Sequence, residues 1–205
     1  MFTRFKGETI KFLRVPLPNS SNGLRNFRTQ QPVLKGVVSP RLTVPKTIPY
    51  PEYGISGMPG DKGKGIYYYS KDEIPKLRKA ARLARKMLEF SLKLAKPGVT
   101  TDEIDRITHE EIVKNGAYPS PLNYFRYPKS IATSVNEVVC HGIPDNRKLQ
   151  DGDIISIDVS LFLDGFHGDN CGTVVVGKPN PELERLIQCT KDAVWESIKL
   201  CKPGA

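Results

Sequence analysis

Hydrophobic residues recur along this chain with two periods, and the stretch with period two is the more informative. From Ile155 to Leu163 every odd position (Ile155, Ile157, Val159, Leu161, Leu163) is apolar, which is the alternation of a strand with one face in a core. The other face carries Ser156, Asp158 and Ser160. Asp164-Gly165 follows, a favoured two-residue hairpin turn because both residues tolerate positive φ. A tight turn sets Leu163 across from Phe166 and, counting back, Ser160 across from Asp169. Asp158 is then the diagonal neighbour of Asp169 on the same face, with backbones roughly 7–8 Å apart.

The helical period appears elsewhere. Ser70 to Ala95 reads as a helix with Ser70 as cap, Glu73 as its capping-box partner and Pro75 in the tolerated first turn. Its inward stripe is Leu77, Ala80, Ala81, Ala84, Leu88, Ser91 and Leu92, and Lys96-Pro97-Gly98 stops it. A second helix runs from Thr101 to about Asn115-Gly116, with His109 expected on its solvated face beside Glu110 and Glu111. Strands are expected from Lys129 to Val135, Asp153 to Leu163 and Phe166 to Val176, and a closing helix from Pro181 to Leu200. That last helix ends in an echo: SLKLAKPG at residues 91–98 returns as SIKLCKPG at 197–204. The same offset brings Leu77 onto Leu183, Ala80 onto Leu186 and Leu88 onto Val194. Two readings stay open, a common helix stop used twice or a chain built of two like halves.

The candidate chemistry sits on the hairpin. Two close carboxylates repel, so one carries a raised pKa unless a cation lies between them. Oxygen ligands from two strands form a half-shell for a divalent metal, or for two metals sharing a carboxylate. The bland alternative is a pair of surface aspartates on the wet face of a sheet. Upstream, His141 lies in a Gly/Pro-bounded turn. Cys140 beside it is no nucleophile partner, since neighbours on an extended segment point to opposite faces. The four cysteines show no CxxC spacing, which argues against a zinc knuckle or a disulfide frame.

Charge is unevenly spread. Residues 1–50 hold nine Lys/Arg and one acid, Glu8, whereas the rest hold 22 basic and 21 acidic residues. The net charge of +9 therefore belongs to a leader and argues against a sequence-specific nucleic-acid partner. Phe2, Phe5, Ile10, Phe12 and Leu13 share one side of a helical wheel, with Arg4, Lys11 and Arg14 opposite. An Arg-rich, acid-poor amphipathic segment of this kind is transit-like and predicts a mitochondrial location, with a cytoplasmic one as the alternative. The alternative for the leader itself is a basic tail that touches RNA or ribosomes. Apolar runs are too short for a transmembrane segment. Three regions follow: a basic transit-like leader (1–30), a Pro/Gly-rich extended arm (31–69) and a globular part (70–205).

Four motifs in order, YPKS (127–130), SVNEVVCHGIPD (134–145), LQDGDIISIDVS (149–160) and DGFHGD (164–169), resemble the first half of a type 1 methionine aminopeptidase from about Ser70 onward. The resemblance implies an α+β, pita-bread (creatinase/aminopeptidase-like) fold, an antiparallel sheet with helices on one face, with the second pseudo-repeat largely absent. It implies removal of the initiator methionine from nascent proteins, with two divalent metal ions (Co, Mn, Fe or Zn) as cofactors and the N-terminal Met of nascent peptides as partner. Asp158 and Asp169 become metal ligands, Asp169 the bridge between two ions. His141 becomes the catalytic and substrate-side histidine, and Tyr124 and Tyr127 line the methionine pocket. The family's remaining ligands, a histidine and two glutamates, and its second substrate-side histidine have no counterpart here, so the expectation is a shortened form, inactive alone. Arg126 stands where the family pattern has Gly, and Ala132 where it often has Cys, which leaves substrate preference open. Two other readings remain. One is a non-catalytic interaction module, for example ribosome-associated. The other is a different pita-bread hydrolase, against which CHGIPD and YPKS argue.

Overall fold

The computed structural model describes residues 32–60 and 65–204. The leader of residues 1–30, with its expected amphipathic helix, lies outside the described residues. Helix α1 spans Tyr53–Ser56, α2 Glu73–Leu92, α3 Thr101–Lys114 and α4 Pro181–Leu200; the strands are β1 Tyr118–Pro119, β2 Ala132–Val135, β3 Ile154–Leu163 and β4 Phe166–Val175.

Local chemistry sets the element ends. Ser70 Oγ accepts from the Glu73 N–H at 3.3 Å, and the Glu73 carboxylate accepts from the Ser70 N–H at 2.7 Å, a reciprocal cap just ahead of α2. The helix stops at Leu92 rather than running to Ala95, because Leu94 and Ala95 bond to the carbonyls of Ser91 and Leu92, three residues back. Thr100 and Glu103 form a full capping box at α3. β2 starts at Ala132, later than the apolar pattern implies. The N–H groups of Ser130 and Ile131 are taken by Asp105 Oδ1 at 2.7 and 3.0 Å, so the ladder begins after them.

β3 is the centre of an antiparallel sheet. β1 and β2 both pair with it, and β4 joins it through the Asp164-Gly165 turn. Ile155, Ile157, Val159 and Leu161 are buried from solvent, in one core with Ala80, Ala84, Met87 and Leu88 of α2 and Ile104 and Ile112 of α3. Each large side chain buried there is worth roughly 1.5–3 kcal/mol. The helices thus cover one face of the sheet and leave the Asp158 face to the other side. A Cβ on Gly168 would run into the Ala80 carbonyl, so this glycine lets α2 lie flush against β4.

His109 is not on a solvated face. It is 5% exposed, with Nδ1 2.7 Å from Ser130 Oγ and Nε2 3.1 Å from the Thr43 carbonyl. The physical reason is that Asp105, His109 and Ile112 share one stripe of α3, and the segment around Thr43 covers it. Residues from Val33 onward form one compact unit, in which Val44 and Ile48 pack with Tyr118 and Leu122 in a second apolar cluster. Among the described residues of α4, by contrast, none is buried, and Leu186, Val194, Trp195 and Ile198 are all exposed. No helix among the described residues is long and apolar enough to cross a membrane.

Candidate functional site

The uncovered sheet face forms the floor of a cleft of about 810 Å³, lined by both hairpin aspartates, His141, Tyr124 and Tyr127 among others. The hairpin register pairs Leu163 with Phe166 and Ser160 with Asp169, so Asp158 and Asp169 are diagonal neighbours as the alternation requires. Ser160 Oγ donates to Asp169 Oδ1 at 2.7 Å and fixes that carboxylate. Across the other ladder Ala132 stands opposite Asp158.

The two carboxylates are electrostatically linked. Burial pushes the Asp158 carboxyl up to about 6, and the neighbouring Asp169 adds to the shift while His141 works against it. Asp158 Oδ1 is buried without a hydrogen-bond partner among the described residues. An orphaned carboxylate oxygen beside a second carboxylate fits a divalent cation, which would supply the missing charge and coordination. The donor set is partial: among the described residues no three His, Cys, Asp or Glu side chains gather about one point.

His141 is presented by a tight turn. It has φ of 53° and is followed by Gly142, whose N–H donates to Ser134 Oγ at 3.2 Å and whose carbonyl accepts from the Thr133 N–H at 2.9 Å. A Cβ on Gly142 would strike the Thr133 carbonyl, so only glycine fits after His141. Tyr127 secures this turn. Its hydroxyl lies 3.0 Å from the Gly142 carbonyl and 3.2 Å from that of Ile131. Burial, with smaller contributions from Asp105 and Asp158, holds the phenol well above its ordinary pKa, so it acts as a neutral donor.

Tyr124 sits on a single 3-10 turn, Tyr124–Arg126, with Phe125 edge-on to it at 4.7 Å. Three residues here have positive φ: Asn123 (68°), Phe125 (45°) and Arg126 (64°). A glycine adopts such angles freely, whereas a side-chain-bearing residue is strained by roughly 1–2 kcal/mol. That explains why glycine suits position 126, and Arg126 adds an exposed cation at the cleft wall.

Several cleft residues escaped the sequence reading. His167 lines it, with Nδ1 2.8 Å from Ser120 Oγ. The same alternation that places Asp169 puts His167 on that face, so the signal was present. Tyr53, Ser120 and Phe125 also line the cleft. Ser120 and Tyr53 come from non-periodic segments, where no pattern marks them.

Residues 75–205 match the family model described as metallopeptidase family M24. The chain is 47% identical over 178 residues to methionine aminopeptidase 1B, chloroplastic, of Arabidopsis thaliana, covering 87% of this chain and 48% of that protein. It is 46% identical over 173 residues to methionine aminopeptidase 1D, mitochondrial, of Mus musculus, covering 84% and 52%. The crystal structure of methionine aminopeptidase from Rickettsia prowazekii superposes with a TM-score of 0.67 at 42% identity, covering 69% of this chain and 57% of that one. The chain spans about half the length of the curated relatives it matches.

Proposed function

The chain belongs to metallopeptidase family M24, and on that premise we propose that it carries the first half of a site that removes the initiator methionine from nascent peptides. The observation that carries the reading is the diagonal pair Asp158 and Asp169, the first with a buried, unpartnered carboxylate oxygen, at the floor of an aromatic-walled cleft. Relatives of which this chain spans about half are named as methionine aminopeptidases, which supports the same substrate.

In this reading Asp158 and Asp169 hold divalent metal. Such an ion would polarise the scissile carbonyl and lower the pKa of the attacking water. The chain's own side chains do the rest. Ser160 orients Asp169 through its 2.7 Å hydrogen bond. His141, at the rim, binds the peptide near the scissile amide and passes a proton there. Tyr124 and Tyr127 receive the methionine side chain, with Phe125 beside them. Hard divalent ions take about six donors, so two carboxylates make a weak site. The remaining ligands, a histidine and two glutamates, come from the second half of the fold, and without them the described site is not competent alone. The basic leader directs the protein to mitochondria.

The test joins this chain to the C-terminal half of the Arabidopsis relative. Metal-dependent release of methionine from Met-Ala-Ser is expected, and its loss in both Asp158→Asn and Asp169→Asn. Undiminished release in the two variants would sink the role of the hairpin.

A further inference from the structure

The arm ahead of α2 is tied into the cleft by one tyrosine. Tyr53, on α1, is 5% exposed although it comes from a Pro/Gly-rich segment. Its ring meets Tyr124 edge-on at 5.0 Å (76° between planes) and lies nearly parallel to the His167 ring at 6.3 Å (16°). Its hydroxyl donates to the Ser120 carbonyl at 2.7 Å. From there the bonds continue to the carboxylate: the Ser120 N–H donates to the Ser160 carbonyl at 2.9 Å, and Ser160 Oγ donates to Asp169 Oδ1 at 2.7 Å.

Asn123 latches the same segment from the other side. It is buried, and its amide nitrogen reaches the carbonyls of Gly54 (3.0 Å) and Ile55 (3.3 Å) while its oxygen accepts from Arg41. Its backbone N–H donates to the Tyr127 carbonyl at 2.8 Å. One residue thus grips α1 and the turn bearing Tyr124 and Tyr127. A tether needs none of these contacts, since burying and saturating so many polar groups orders the segment at an entropic cost.

We propose that Tyr53, supplied by the arm, is a specificity-determining wall of the cleft that sets which apolar side chain it accepts. Tyr53, Tyr124 and His167 form a continuous aromatic surface, and Tyr53 backs Tyr124, so removing it lets Tyr124 retreat and enlarges the pocket. The inference rests on the proposed methionyl-peptide reading, because it assigns the selectivity of that same cleft.

The experiment uses the full chain and measures binding of methionine amide, leucine amide and alanine amide by ligand-observed NMR, alongside urea unfolding. The wild type is expected to favour methionine amide. Tyr53→Ala is expected to reduce that preference roughly tenfold, the scale of discrimination that a methylene-sized change in a pocket produces. Tyr53→Phe keeps the ring and is expected to retain the preference while losing some stability with the Ser120 bond. If Tyr53→Ala does not fold, Tyr53→Leu gives the same comparison, since it keeps apolar volume but loses the aromatic edge. A folded Ala or Leu variant with unchanged preference and only a lower urea midpoint makes Tyr53 structural and overturns this inference alone. A wild type that distinguishes none of the three amides overturns both the peptide reading and this inference.

Discussion

Lys129 Nζ stands 4.0 Å from Asp105 Oδ2, with both side chains 1% exposed. Lys129 is also paired with Asp102 and donates to Ser39 Oγ at 2.6 Å, so a single buried cation joins α3, the YPKS segment and the arm. Asp105 in turn fixes the N–H groups that precede β2. Lys129→Met leaves Asp105 buried without its countercharge, and a loss of about 3–5 kcal/mol is expected by urea unfolding at pH 7. Burial raises the Asp105 carboxyl to about 6, against its N–H bonds and Lys129. A folded pKa above the unfolded value of about 3.9 means its contribution is present below that value and fades as pH rises through 6. The deficit of Lys129→Met should therefore widen from pH 4 to pH 7; a constant deficit would show that Asp105 does not titrate in this window.

Asp153 is held by four hydrogen bonds from three residues. Burial alone would raise its pKa, but Arg147, at 2.8 and 3.1 Å, the Gln150 N–H and Asn136 outweigh it and hold the carboxyl below the usual range. A depressed folded pKa gives stability that is present above the unfolded value of about 3.9 and is lost as pH falls through the folded one. Arg147→Ala is expected to cost on the order of 3 kcal/mol at pH 7, since Asp153 would stay buried without its partner. The cost should shrink below pH 4, measured as the difference in urea midpoints.

Asp169→Asn should make the metal-free protein more stable at pH 8, because it removes the charge beside Asp158. The Asp158 carboxyl, raised to about 6 chiefly by burial, is charged at pH 8 and neutral at pH 4.5. The stability gain is expected to disappear at the lower pH. Thermal unfolding of both proteins at the two pH values checks it, and equal melting temperatures at pH 8 would mean that the carboxylates do not repel.

Arg126→Gly relieves a side-chain-bearing residue at φ of 64°. Glycine also has more unfolded-state freedom to lose, so the net gain is expected to be at most about 1 kcal/mol. The same variant removes the cation from the cleft wall. Its affinity for the cationic methionine amide should rise, and rise most at low ionic strength, where repulsion by Arg126 is least screened; titration at low and high ionic strength would reveal it.

Much of the fold was legible because its core is periodic. The alternation from Ile155 to Leu163 and the Asp164-Gly165 turn are enough to set the hairpin register, and with it the diagonal relation of Asp158 to Asp169. The reciprocal cap of Ser70 with Glu73 was legible as well. What could not be read is what tertiary contact decides. His109 stands beside Glu110 and Glu111 and reads as solvated, yet a segment some sixty residues earlier covers it. β2 begins late because Asp105 claims two N–H groups, a bond across 25 residues that no local pattern announces. Tyr53 belongs to a stretch whose Pro and Gly content speaks for an extended chain, and only packing against Tyr124 and His167 reveals its place.

Gly168 has no side chain, touches no part of the cleft and offers no chemistry. Its clearance against the Ala80 carbonyl nevertheless sets how close α2 may lie to β4, and the next residue along is Asp169. Adding one methyl group at this point would push the strand outward one residue before Asp169. The aim of a carboxylate on the front of the sheet is thus calibrated from the back, by an atom that is absent.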